Sequence, residues 1–117
     1  NMRGNTYFWG TKSGVLNIAK IGKFEFDPVN QLLTFENNTR RLTLKESKLL
    51  GLLINSKNNL VRREEIMIEI WGESDYYTGR SLDVFVSKLR SYLKNDPEVY
   101  ITTIPTVGYI LETKSEP

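Results

Sequence analysis

The sequence predicts an α+β domain in which a four-stranded antiparallel sheet precedes three helices and a closing β-hairpin. Three observations carry that prediction. Short runs with a period of two, split by turn residues, fill the stretch from Ile18 to Leu42. Helical spacing takes over at Thr43 and persists to Lys94. β-type runs then return on either side of Pro105-Thr106. The length of 117 residues suits one domain with its own core.

The first fourteen residues are polar, hold Gly4, Gly10 and Gly14 around Tyr7-Phe8-Trp9, and keep no period. They are expected to be a linker or the remnant of a tag, with the domain proper over 15–113 and a short tail over 114–117. Ile18–Ile21 ends at Gly22, and Phe24 and Phe26 alternate with Lys23 and Glu25 before Asp27-Pro28. Leu32–Phe35 stops at Asn37-Asn38, and Thr39–Leu42 follows. Alternation bounded by such turn residues is the mark of half-buried strands. Connections this short leave no room for crossovers, so the strands form a meander.

Thr43-Leu44-Lys45-Glu46 has the form of a capping box, in which Thr43 and Glu46 each satisfy the other's amide. Leu49, Leu50 and Leu53 continue that helix to Lys57-Asn58-Asn59. A second helix is expected over Arg63–Trp71, with Ile66, Met67, Ile70 and Trp71 on one stripe and Glu64 and Glu65 suiting its positive end. Gly72 stops it, and Glu73–Gly79 reads as an acidic loop bearing tyrosines. The third helix is expected over Arg80–Lys94, ended by Asn95-Asp96-Pro97. Tyr100–Ile104 and Val107–Leu111 form the terminal hairpin.

Composition removes several chemistries. The chain has no cysteine and no histidine. Disulfides, thiolate nucleophiles, Cys/His zinc sites and imidazole bases are therefore excluded. Glu64/Glu65 and Glu73/Asp75 are paired carboxylates without a third catalytic partner or a phosphate-cradling glycine loop. No enzyme activity, cofactor or metal is expected. No apolar run approaches the ~20 residues of a membrane span, nothing reads as a signal peptide, and a cytoplasmic protein is the default.

The net charge of +2 conceals an uneven distribution. Residues 1–58 carry nine basic and four acidic side chains, against seven and ten in residues 59–117. Within that acidic half, residues 79–94 hold four cations against Asp83 alone. On a helical wheel Leu82, Phe85, Val86, Leu89, Tyr92 and Leu93 share one side. Arg80, Asp83, Val84, Ser87, Lys88, Arg90, Ser91 and Lys94 share the other. A helix anchored by one side and cationic on the other can enter a DNA major groove, where Arg or Lys donates to guanine and Val can meet a thymine methyl. A solvated helix face is the plainer alternative for the same pattern. The element order, with a short link between the second and third helices and a hairpin behind them, is that of a winged helix-turn-helix. Winged helices also serve as protein-interaction modules.

From Ile18 to Leu111 the chain resembles the effector domain of OmpR/PhoB-type response regulators. The resemblance lies in Leu42-Thr43-x-x-Glu46-x-x-Leu49-Leu50, Arg63-Glu64-Glu65-Ile66 with Trp71-Gly72, Arg80-Ser81-Leu82-Asp83-Val84-Phe85-Val86-Ser87-Lys88-Leu89-Arg90, and Thr103-Ile104-x-x-Val107-Gly108-Tyr109-Ile110-Leu111. It implies transcription control by double-stranded DNA binding, often as a homodimer on direct repeats. It also implies a receiver domain ahead of Asn1, addressed by a sensor histidine kinase. Arg80 matches a phosphate-contacting position, and Asp83, Val84, Ser87, Lys88 and Arg90 match groove-facing ones. Thr103 matches a phosphate contact in the wing, expected over 103–109, and Pro105 stands at its tip. Glu73, Ser74, Asp75, Tyr76 and Tyr77 match a segment that touches RNA polymerase in some members. The rival expectation is a module that docks a receiver or RNA polymerase without reading DNA.

The chain departs from the family pattern twice. Pro105-Thr106 replaces the usual wing cation and glycine, and Ser87 replaces the first of two consecutive mid-helix cations. Without a wing cation, insertion into a narrow minor groove loses its electrostatic driver, and fewer cations imply weaker phosphate affinity.

Overall fold

A computed structural model describes residues 18–114. The linker expected over 1–14 and the last three residues of the expected tail lie outside the described residues. Strands β1 (Ala19–Ile21), β2 (Phe24–Asp27), β3 (Leu32–Phe35) and β4 (Asn38–Arg41) form an antiparallel meander in sequence order. Phe24 and Phe26 are buried and Glu25 is exposed, so the period of two has its expected cause. At the β2–β3 turn the Asp27 carboxylate accepts from the amides of Val29 and Asn30.

Helix α1 (Leu44–Asn55) starts with the predicted capping box. The Thr43 amide donates to Glu46 Oε1 at 2.9 Å and the Glu46 amide to Thr43 Oγ1 at 3.2 Å. Leu49, Leu50 and Leu53 are fully buried. Helix α2 (Arg63–Trp71) buries Ile66, Met67 and Ile70, and ends at Gly72 in the left-handed region.

The start of the third helix differs from expectation. Helix α3 spans Tyr76–Leu93 and so begins four residues before Arg80. Asp75 is its cap: Asp75 Oδ1 accepts from the Thr78 amide, and Thr78 Oγ1 accepts from the Asp75 amide, both at 2.9 Å. The loop expected over Glu73–Gly79 therefore shrinks to the turn before Tyr76. Gly79 lies inside the helix, where an added Cβ would stand 2.9 Å from Arg63 Nη2.

The terminal hairpin, β6 (Val99–Ile104) and β7 (Gly108–Thr113), gains a third strand, β5 (Leu60–Arg62), giving the order β5-β7-β6. The β5–β7 pairing demands glycine at 108, because a Cβ there would lie 2.1 Å from the Val61 carbonyl oxygen. The helices pack between the two sheets on one continuous core that includes Phe24, Leu33, Leu50, Ile66, Leu82, Leu89 and Leu111. Asp96, only 2% exposed, joins the layers by accepting from the amides of Lys23 and Glu98.

Candidate nucleic-acid interface

The periodicity of α3 sorts its side chains as the sequence predicts. Leu82, Val86, Leu89 and Leu93 are buried, and Phe85 and Tyr92 pack against the core edge. Arg80, Asp83, Val84, Ser87, Lys88 and Arg90 are exposed along the opposite side. Val84 is 55% exposed, a β-branched apolar side chain presented to solvent on an otherwise polar face. Burying it against an apolar partner group would be favourable. Lys88 Nζ lies 5.7 Å from the Phe85 ring centre, which steadies the stem of that cation at the helix middle.

The cations are not equivalent. Arg80 Nη1 donates to the Tyr76 hydroxyl at 3.2 Å, one turn back along the helix. Arg90 folds towards the wing: its Nε and Nη2 donate to the Ile101 carbonyl at 3.2 and 3.0 Å, and Nη2 also donates to Thr103 Oγ1. Arg90 and Thr103, matched by resemblance to separate contacts, are thus one unit that fixes β6 against α3. Three donor contacts are committed inside the protein, so Arg90 sets the wing angle as well as adding charge.

Asp83 is similarly tied. Its Oδ1 accepts from the Tyr109 hydroxyl at 2.7 Å and from Arg63 Nη1 at 3.3 Å. Arg63 Nη1 also donates to the Tyr109 hydroxyl at 3.3 Å, and Arg63 Nη2 to the Gly79 carbonyl at 3.4 Å. Arg63 is the first residue of α2, and its amide donates to the Val107 carbonyl beside the wing turn. One guanidinium thus gathers α2, α3 and β7. Burial works against the Arg63 charge, but the bonds and charges of Asp83 and Tyr109 outweigh it and raise its pKa above the ordinary value. Burial, then the bond to Asp83, raises the Tyr109 phenol, with Arg63 opposing. The Tyr109 ring is 4% exposed, in the core, but its hydroxyl ends in a polar network.

Pro105 and Thr106 are exposed at the wing turn, with Thr106 at φ 62°. No cation stands at that tip. Before α3, Glu73 and Ser74 are exposed, whereas Asp75 is engaged as the cap. Tyr76 and Tyr77, expected in a loop, occupy the first helical turn as an exposed edge-to-face pair with ring centres 5.4 Å apart. Among the described residues no cluster of three or more acidic side chains could hold a metal ion. None of the helices there is long and apolar enough to cross a membrane.

Sequence reasoning missed the structural roles of Arg63 and Arg90. Their partners lie 11 to 46 residues away along the chain, beyond the reach of any local pattern. An arginine heading a helix whose other early residues are Glu64 and Glu65 was the one available hint, since a cation at that end is unfavourable unless paired.

The family model described as "Transcriptional regulatory protein, C terminal" matches residues 37–111. The chain is 41% identical over 104 residues to the transcriptional regulatory protein RprY of Bacteroides fragilis, covering 89% of this chain and 44% of that protein. Over 96 residues it is 25% identical to the phosphate regulon transcriptional regulatory protein PhoB of Pseudomonas aeruginosa, covering 82% and 42%. It therefore spans less than half the length of these relatives. Its fold is similar to the DNA-binding domain of CpxR from E. coli, with TM-score 0.74, 24% identity, and coverage of 82% of this chain and 96% of that one. It is also similar to the RstA DNA-binding domain of Klebsiella pneumoniae, solved in complex with the RstA box, with TM-score 0.69, 23% identity, and coverage of 81% and 96%.

Proposed function

The chain belongs to the family of transcriptional regulatory protein C-terminal domains, and on that premise we propose how it reads double-stranded DNA. Helix α3 enters the major groove with Val84, Ser87 and Lys88 towards the base edges. Arg80 meets a phosphate beside the groove, and Thr103 and Pro105 approach the backbone from the wing. Asp83 and Arg90 face the groove rim while holding α2, β6 and β7 to the reading helix.

The observation that carries this reading is the division of α3. Its buried side is locked in the core, its outer side is exposed and cationic, and the wing is bonded to it through Arg90 and Tyr109. A helix presented so rigidly loses little freedom on binding, which favours affinity.

In the intact regulator this domain is the output of a two-component response regulator in the cytoplasm, behind a receiver domain addressed by a sensor histidine kinase. The fraction of relatives' length covered leaves room for such a receiver. Dimerisation on direct repeats and contact with RNA polymerase through Glu73, Ser74, Tyr76 and Tyr77 complete the proposal. Asp75 contributes there through its cap rather than as a free carboxylate.

The missing cation at Pro105 and the serine at 87 predict modest intrinsic affinity. The test is the dependence of log K on log salt for duplex DNA, where each neutralised phosphate contributes about −0.9. A clearly negative slope shallower than about −7 is expected. A slope near zero would contradict DNA binding, and one steeper than about −7 would contradict the modest phosphate count.

A further inference from the structure

A polar cleft of about 630 Å³ lies between the edge strand β4 and the C-terminal end of α3. Asn38, Arg40, Arg41, Ser91, Lys94 and Asn95 line it, and no carboxylate does. Its position on the sheet is unusual. Arg40 pairs with Leu33 and Asn38 with Phe35, so both share the helix-facing side whose β3 members are apolar. Protecting a sheet edge from aggregation calls for a charge, and Arg41, next along β4 and also at the cleft rim, where its Nη1 donates to the Asn30 carbonyl at 3.0 Å, supplies it. Arg40 therefore needs another explanation.

Arg40 is also prearranged. Its guanidinium lies 4.1 Å from the centre of the Tyr92 ring. The Tyr92 hydroxyl donates to Glu46 Oε2 at 3.0 Å, and Glu46, 3% exposed, is held by the α1 capping box. Stacking on a ring orients a guanidinium while leaving most of its in-plane donors for a planar or tetrahedral anion. The cleft lining carries cations and no carboxylate, and the nearest charge of opposite sign tied to Arg40 is Glu46, reached through the Tyr92 hydroxyl.

The cleft opens beside the proposed reading face, because Ser91 belongs both to its lining and to the exposed side of α3, and Lys94, also in the lining, is the exposed C-cap of that helix. Arg90, bonded to the wing, and Tyr92, under Arg40, are two residues apart and so about 200° apart around the helix. Wing and cleft flank α3 from opposite sides.

We propose that Arg40 and Lys94, assisted by Ser91 and Asn95, form a second DNA-backbone site that grips the phosphate strand across the groove from the wing. This rests on the DNA-reading role of α3 and extends it. The cleft compensates for the cation that the wing tip lacks. Being a phosphate contact, it adds affinity without sequence preference.

The test measures binding of the full 117-residue chain to a mixed-sequence duplex across a salt series. Arg40→Ala combined with Lys94→Ala should make the log–log slope shallower by about 1.8, two contacts at about 0.9 each. Arg40→Lys should retain most of the slope. The loss in affinity should be equal on a preferred site, leaving the specificity ratio unchanged. Arg40→Gln with Lys94→Gln, which keeps side-chain bulk, should give the same loss with an unaltered urea midpoint. An unchanged slope in variants that still bind would overturn the proposal while leaving the reading by α3 intact. Lost binding to an acidic polypeptide with unchanged DNA binding would overturn it in favour of a protein partner. Failure of the unsubstituted chain to bind any duplex would overturn both.

Discussion

Asp83 sits on the exposed face of α3 that we propose reads DNA, yet its Oδ1 takes bonds from Tyr109 and Arg63, so it also fastens the wing strand. Tyr109→Phe deletes that bond while keeping the ring in the core. It should lower stability by about 1.5–3 kcal/mol, as a hydrogen bond to a charged acceptor, and weaken DNA binding because β7 loses its tether to α3. Urea unfolding and DNA titration of the same variant check both effects. The pH dependence follows from the raised pKa of the phenol in the folded state. The folded chain holds that proton more tightly than the unfolded one, so the contribution is complete below the ordinary tyrosine value of about 10 and is lost as pH rises through the folded value. Urea midpoints between about pH 9 and 11 should fall less steeply in Tyr109→Phe than in the unsubstituted chain. The same periodicity that buries Leu82 and Leu89 made the outer residues of α3 legible in the sequence. The tethers of Asp83 and Arg90 were not, because only the folded packing of α2, β6 and β7 brings their partners near.

Among the elements, α3 is the one whose length matters most. The Asp75–Thr78 capping box adds a turn ahead of Arg80 and lifts Tyr76 and Tyr77 onto the helix surface. Asp75→Ala should cost about 1 kcal/mol and speed amide exchange in residues 76–79, with Leu82 and Leu89 still protected. Protection unchanged at 76–79 would show that the cap does not hold the turn. The start of α1 was readable because Thr43 and Glu46 follow the usual Thr-x-x-Glu pattern. The start of α3 was not, since threonine takes the place of glutamate and Gly79 reads as a stop. Tertiary packing overrides that signal: Gly79 is buried beside Arg63 and Met67. Strand β5 escaped for a different reason. It offers only Val61 as a buried side chain and exists because β7 pairs with it, with Gly108 admitting the Val61 carbonyl. The meander was legible because buried Phe24 and Phe26 alternate with exposed neighbours.

At the scale of the whole molecule the charge pattern acquires a geometry. Arg80 and Lys88 lie on α3, Arg90 binds the wing, and Arg40 and Lys94 line the cleft on the other side. Glu64, Glu65, Glu69 and Glu73 lie on and just after α2. The absence of histidine and cysteine leaves no side chain with an ordinary pKa between glutamate at about 4.3 and tyrosine at about 10. DNA affinity and urea midpoints should therefore stay level from about pH 6 to 9. A transition in that window would come from the α-amino group or from a strongly displaced carboxylate or lysine. The central claim, that the outer face of α3 reads base sequence, is tested most directly by selecting binding sites from a pool of random duplexes, using the unsubstituted chain and Lys88→Ala in parallel. The unsubstituted chain should enrich one motif, and Lys88→Ala should relax that motif at one or two positions, with about 1–3 kcal/mol lost on the preferred site. An identical motif at undiminished affinity from Lys88→Ala, or no motif from either protein, would contradict it.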